Sequence, residues 1–162
     1  MQDQIAIRDV KDDDMPFFFN SLLNHYKHSS PHTRLIPDSN YYLELHNIID
    51  RMLERKGNIL KLCVLAEDPS IVFGYVWAND CPDTINYLYV KKAFRGLGIA
   101  KSLILAAFPD FTPDKKIYYP FFTYDAGKIT LKYSKLIFNP YLMDAKTWKT
   151  YQSQEEEADL EN

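Results

Sequence analysis

The chain has 162 residues, of which 46% are hydrophobic and 25% are charged, and its formal net charge is −3. A chain of this length predicts one domain of roughly 100–200 residues. No apolar run approaches the ~20 residues that a membrane-spanning helix needs, and the N-terminus lacks the basic and apolar segments of a secretory signal. Two cysteines, Cys63 and Cys81, are too few for a disulfide scaffold. We therefore expect a cytoplasmic protein with reduced thiols and no membrane partner.

The net charge conceals two segments of opposite sign. Residues 152–162 carry five acidic and no basic side chains, whereas residues 91–135 carry nine Lys or Arg against three Asp. A highly charged segment with few apolar residues buries too little surface to offset its ordering entropy. We therefore expect a single domain over residues 1–151, a disordered acidic tail over residues 152–162, and an anionic ligand at the basic segment.

The hydrophobic pattern predicts ten elements. In chain order they are a strand at 5–10, a helix from Met15, a helix from about residue 39 to residue 56, strands at 59–66, 71–78 and 84–90, a helix at 99–108, a strand at 117–124, a short helix at 127–136 and a strand at 137–143. Short turns join the three middle strands, which predicts an antiparallel meander. The order therefore predicts an α/β (α+β) fold with a mixed, mainly antiparallel sheet and helices on both faces.

Residues 87–102 (YLYVKKAFRGLGIAKS) place a strand, a basic turn with two glycines and a helix start in series. This arrangement directs backbone N–H groups and the positive end of a helix dipole to one point. Gly96 and Gly98 allow a ligand to approach the backbone, and Ala100 keeps the helix start narrow. The segment therefore predicts a site for an anion with several oxygens, such as a pyrophosphate.

Two other phosphate-binding loops are excluded by their spacing. A Walker loop needs glycines where this chain has Arg95 and Ala100, directly before Lys101. A dinucleotide fingerprint needs a third glycine at Lys101 and an acidic residue about twenty positions later, and both are absent.

Three segments resemble the GNAT N-acetyltransferase superfamily. Residues 95–100 (RGLGIA) resemble its acetyl-CoA loop, Gln/Arg-x-x-Gly-x-Gly/Ala, and residues 88–90 (LYV) resemble the strand that runs beside pantetheine. Residues 133–138 (YSKLIF) resemble its downstream Tyr-x-Lys-x-Gly-Phe signature. The resemblance covers residues 4–143. It implies a GNAT-like fold and transfer of an acetyl group from acetyl-CoA, the co-substrate, to a small-molecule or protein amine.

The resemblance also implies roles for individual residues. Tyr133 would protonate the departing thiolate, and Lys91, Lys92 or Lys101 would add positive charge near the 3′-phosphate. The residues that would bind the cofactor are Leu88, Tyr89, Val90, Arg95, Gly96, Leu97, Gly98, Ile99, Ala100, Lys101 and Ser102.

The general base is left open by the sequence. Many GNAT members carry Glu near the position of Asn86, which would orient a water or the amine because an amide accepts no proton at neutral pH. Asp83 is an alternative at the start of the same strand. A third alternative is a histidine in or near the first helix, His25, His28 or His32, because imidazole titrates near neutrality. The spacing of these histidines and the cysteines predicts no metal site.

Two departures from the family pattern suggest a divergent member. Ile137 replaces the usual Gly, which predicts a narrower acyl end of the cleft or a changed presentation of Tyr133. Asp125 stands near the place of an Asn that often begins the last helix. One alternative function is therefore a non-catalytic protein that binds CoA.

A second alternative is a DNA-modifying or nucleic-acid-binding protein, as some GNAT-like proteins of phage origin modify DNA bases. The basic segment would contact phosphates, and an aromatic run at residues 118–122 would stack on bases unless it is a buried strand. The sequence indicates neither the acceptor nor an oligomeric state.

Overall fold

The computed structural model describes residues 2–162, and it contains a six-stranded sheet and five α-helices. In chain order the elements are β1 Ile5–Asp9, α1 Met15–Ser29, α2 Asp38–Leu53, β2 Asn58–Leu65, β3 Val72–Asp80, β4 Asp83–Val90, α3 Ile99–Ala107, β5 Ile117–Tyr119, α4 Tyr124–Lys132, β6 Leu136–Phe138 and α5 Ala145–Glu161. Within residues 2–162, no helix combines the length and apolar character required to cross a bilayer.

The strands lie in sequence order from β1 to β6. Strands β1 to β4 form an antiparallel meander, and β5 and β6 add to it in parallel. Parallel neighbours need a crossover, which α3 supplies between β4 and β5 and α4 supplies between β5 and β6. The mixed, mainly antiparallel sheet predicted from the sequence is confirmed.

Side chains alternate between two cores, one on each face of the sheet. Leu62, Tyr75 and Trp77 pack with α1 and α2, whereas Val76 and Ala78 pack with α3. Such alternation follows from the period of two along a strand. Helices therefore cover both faces, as the sequence predicts.

The predicted bounds are wrong in the C-terminal third. β5 ends at Tyr119 because Pro120 has no N–H to donate to a ladder. Helix α4 begins at Tyr124, earlier than predicted, because the Thr123 hydroxyl caps it by accepting the Ala126 N–H at 3.1 Å. β6 ends at Phe138, and Pro140 then begins a 3-10 turn.

The acidic C-terminal segment is the continuation of helix α5. Asp144 caps α5 by accepting the Thr147 N–H at 3.0 Å, and Trp148 is buried in the first turns. The helix then continues through residues 152–161, whose side chains are mostly exposed. The Asp144 cap and the buried Trp148 side chain stabilise the first turns of α5, and the acidic residues form its C-terminal part.

Candidate functional site

Strands β4 and β5 separate and leave a cavity between them. Their only aligned pair is Thr84 with Tyr118, and beyond Thr84 the strand β4 pairs with β3 alone. The cavity has a volume of about 640 Å³. It is lined by His25, Ile85, Asn86, Tyr87, Leu88, Tyr89, Val90, Phe94, Arg95, Gly96, Gly98, Ile99, Ala100, Lys101, Ile104, Tyr119, Phe121, Thr123, Asp125, Ala126, Lys128, Ile129 and Leu136.

One end of the cavity is a glycine loop that leads into α3. Gly96 and Gly98 have φ angles of 78° and 81°, in the left-handed region that favours glycine. A Cβ at either position would meet no atom within 4 Å, so each faces open space. The first N–H groups of α3 have no intrahelical acceptor, and no side chain caps them. The loop therefore presents free N–H donors and the positive end of a helix dipole to the cavity.

Arg95 connects the two walls of the cavity. Its Nε donates to the Val90 carbonyl at 3.0 Å, and its Nη1 lies 3.9 Å from Oδ2 of Asp125 in the first turn of α4. Both side chains are largely solvent-exposed, so the ion pair is weak and easily exchanged for another partner.

A bulge in β4 places a polar side chain against the cavity. Trp77 pairs with Tyr87 and Ala78 with Ile85, which leaves Asn86 without a partner residue on β3. Asn86 is 1% exposed, and its Nδ2 donates to Oδ1 of Asn79 at 2.6 Å. Its own Oδ1 has no hydrogen-bond partner within the described residues. A buried, unused acceptor therefore lies beside the cavity.

A hydrogen-bonded histidine and tyrosine line the wall of the cavity formed by α1 and β4. His25 on α1 and Tyr87 on β4 are joined by a hydrogen bond of 2.5 Å between Nδ1 and the hydroxyl. The ring of Tyr89 packs edge-on against the imidazole at 5.1 Å between centroids. Burial and the positive charge of Arg95 lower the pKa of His25, and Asp125 opposes them. The net effect favours the neutral imidazole over the imidazolium.

Residues 19–119 match the family model described as the acetyltransferase (GNAT) family. The chain belongs to the GNAT acetyltransferase family. The matched region contains most of α1, the bulged strand β4, the glycine loop and the whole of β5, and therefore most of the cavity wall.

Solved structures agree with the fold. A candidate acetyl transferase from Pyrococcus furiosus has a TM-score of 0.61 and 18% identity, covering 80% of this chain and 91% of that one. YycN, a candidate acetyltransferase from Bacillus subtilis, has a TM-score of 0.52 and 15% identity, covering 93% and 90%. No curated protein matches the chain.

The cavity between β4 and β5 is lined by most of the residues predicted to bind the cofactor, but not by all of them. Leu97 is 48% exposed and lies outside the cavity wall, because the loop turns it to solvent. Ser102 also lies outside, and its hydroxyl donates to the Gly98 carbonyl at 3.2 Å. The predicted residues that do line the cavity are Leu88, Tyr89, Val90, Arg95, Gly96, Gly98, Ile99, Ala100 and Lys101.

The two residues predicted to act in catalysis differ in their position relative to the cavity. Asn86 lines the cavity, whereas Tyr133 is the residue that follows α4, is 46% exposed and is not part of the wall. Because α4 begins and ends earlier than predicted, Tyr133 belongs to the turn before β6. The role of Tyr133 stays a prediction of the family resemblance.

The other candidate bases lie elsewhere. Asp83 forms an ion pair with Lys115 at 2.9 Å. His28 is exposed, and His32 borders a separate cavity of about 210 Å³. Ile137 packs against the buried cluster of Tyr118, Leu142 and Trp148 and is not among the residues that line the cavity.

The aromatic run at residues 118–122 is mostly core. Tyr118, Tyr119 and Phe121 are each at most 8% exposed, so no row of surface rings is available to stack on bases. The alternative reading of this run as a buried segment is confirmed.

Sequence reasoning did not single out Tyr87, Tyr119 or Asp125 as parts of the cavity. Tyr87 directly follows Asn86 on a strand that the sequence predicts, and the sequence distinguishes Asp125 only as a departure from the family pattern. Their shared location depends on the divergence of β4 from β5, which no local pattern encodes.

Proposed function

We propose that this chain is an acetyl-CoA-dependent N-acetyltransferase. The observation that supports this best is the cavity between β4 and β5, with a glycine loop facing it from one side and buried polar groups lining it elsewhere. An acyl-CoA needs both features. Its pyrophosphate accepts hydrogen bonds from N–H donors, and its thioester must lie near groups that can orient the amine and transfer a proton.

The glycine loop suits the pyrophosphate. Free N–H groups and the helix dipole stabilise anionic oxygens, and Gly96 and Gly98 leave room for them. Arg95 and Lys101 line the same end and add positive charge. Lys91 and Lys92 directly precede the loop and stay candidates for the 3′-phosphate.

Strand β4 suits the pantetheine arm. Beyond Thr84, one edge of β4 has no partner strand, so its backbone N–H and C=O groups can bond the two amides of pantetheine as an added strand would. Leu88, Tyr89 and Val90 form this part of the wall. The arm would then carry the thioester toward the bulge at Asn86.

At the bulge, Asn86 offers its unpartnered Oδ1 to the acceptor. The oxygen can accept an N–H of the attacking amine and orient its lone pair toward the thioester carbonyl. An amide cannot itself remove a proton at neutral pH, so Asn86 is a positioning residue in this proposal.

Calorimetric titration with acetyl-CoA, followed by a transfer assay, tests the proposal. The assay measures the free thiol of CoA released with a panel of amines: a polyamine, an aminoglycoside, an aryl alkylamine, and peptides with a free N-terminus or a lysine. We expect saturable binding and thiol release with at least one class. Binding without release would favour the non-catalytic alternative, and absence of binding would refute the proposal.

A further inference from the structure

We propose that His25 carries the proton of the transfer reaction, taking it from the acceptor amine and returning it to the departing CoA thiolate. This inference rests on the proposed function. It concerns the hydrogen-bonded pair of His25 and Tyr87, which lies in the wall of the cavity.

The first argument is location. His25 is the histidine of the cavity wall, which it shares with Asn86 and Tyr87 at the bulge of β4. Asp83 forms an ion pair with Lys115, and Tyr133 is not among the residues that line the cavity. Among the described residues that line the cavity, His25 is the group that can both gain and lose a proton near neutrality.

The second argument is orientation. The hydrogen bond to Tyr87 occupies Nδ1, so Nε2 is the nitrogen left for a ligand. Tyr87 is 4% exposed, and burial raises the pKa of its phenol, so Tyr87 stays neutral. The proposal requires the tautomer in which the Tyr87 oxygen accepts Nδ1–H, because that tautomer places the free lone pair on Nε2. The edge-on ring of Tyr89 holds the imidazole in place.

The third argument is charge. A base must be unprotonated before it acts, and burial together with Arg95 lowers the pKa of His25, which favours the unprotonated form. The titratable groups that face the imidazole are Tyr87 and Tyr89 from β4, Arg95 from the loop and Asp125 from α4. Asp125 favours the imidazolium that forms once the amine proton has moved.

The reaction balances with this one carrier. The amine nitrogen attacks the thioester carbonyl carbon and forms the C–N bond, and its proton moves to Nε2 of His25. The C–S bond then breaks, with its electron pair remaining on sulfur. The thiolate takes the proton from the imidazolium, so the products are the amide and CoA thiol. No other reactant is consumed.

The experiment compares His25→Gln with His28→Gln, which alters an exposed histidine on the same helix outside the cavity. His25→Asn serves as a second variant, because its amide can keep a hydrogen bond to Tyr87. Acetyl-CoA affinity is measured by calorimetry, and kcat/KM is measured against pH with the best amine of the panel. Both variants at position 25 should lose about 100-fold or more in kcat/KM while keeping their affinity for acetyl-CoA.

The pH profile separates a proton carrier from a structural residue. In the wild type and in His28→Gln, kcat/KM should rise with pH through the depressed pKa of His25, and this rise should vanish in His25→Gln. A loss below about threefold, or an unchanged pH profile, would overturn the role of His25 alone. A wild type that binds acetyl-CoA yet transfers to no amine would overturn both the role and the transfer, and failure to bind would overturn the proposed function at its first step.

Discussion

The glycine loop can be tested by a pair of substitutions that differ only in charge, Gly98→Asp and Gly98→Asn. The φ of Gly98 is 81°, so either side chain costs about 1–2 kcal/mol in the left-handed region. Asn and Asp tolerate this region better than other residues and have nearly the same shape. The two variants should therefore bear the same backbone strain, and thermal unfolding should show stabilities within about 1 kcal/mol, with any difference in favour of Asp at the helix N-terminus.

Their affinities for acetyl-CoA should differ strongly. A Cβ at Gly98 points into open space, so the Asp carboxylate would meet the incoming pyrophosphate. Two unit charges at ~4 Å repel by about 1 kcal/mol in water and by about 4 kcal/mol at an effective dielectric constant of ~20. Because about 1.4 kcal/mol is a tenfold change, Gly98→Asp should bind about 5-fold to 1000-fold more weakly than Gly98→Asn.

Isothermal titration calorimetry at low and high salt measures this difference. The gap between the two variants should shrink as salt rises, since the screening length falls to about 3 Å at ~1 M ionic strength. Equal dissociation constants for the two variants at low salt would refute the assignment of the pyrophosphate to this loop.

Three further predictions address the walls of the cavity and the loop between α1 and α2. Asp125→Asn should tighten acetyl-CoA binding several-fold in calorimetry, because it removes a negative charge beside Arg95. The free energy of unfolding should change by less than about 0.5 kcal/mol. Weaker binding of acetyl-CoA would contradict this prediction. Lys27→Met should lower the free energy of unfolding by about 1–3 kcal/mol in urea titration, because the buried ammonium donates hydrogen bonds to the Thr33 and Ile36 carbonyls. An unchanged free energy of unfolding would contradict this prediction. Saturation with CoA should raise the pKa of His25 in an NMR titration, because the negative phosphates offset the positive charge of Arg95. A fall in the pKa of His25 would contradict the placement of the phosphates beside Arg95.

The parts of the fold that the sequence predicts well are those with a local signal. The alternation in β3 and the short turns around it predict the meander, and the glycines at 96 and 98 predict the loop. The C-terminal third is predicted less well because its boundaries depend on single residues. Thr123 as a cap, Pro120 as the end of β5 and Trp148 as an anchor each move an element by several residues.

The same distinction explains the site. The cofactor loop is continuous in sequence, so its residue types and spacing carry most of its geometry. His25 is different, because its partner Tyr87 is far away in the chain and faces it only through the packing of α1 on β4. The bulge at Asn86 shifts the alternation of β4, and no hydrophobic pattern records a one-residue insertion of that kind.

The charged and neutral polar groups of the cavity occupy different ends, one suited to the phosphates of CoA and the other to the acceptor amine. Arg95 and Lys101 belong to the loop and the first turn of α3, where phosphates would be neutralised, and Asp125 approaches Arg95 from α4. The polar groups at the bulge, Asn86 and Tyr87, carry no charge. An amine that enters there loses hydration without gaining a carboxylate partner, which lowers its own pKa and favours the free base. In the proposed mechanism, the neutral imidazole of His25 would then be the base, in place of the strand carboxylate common in the GNAT family.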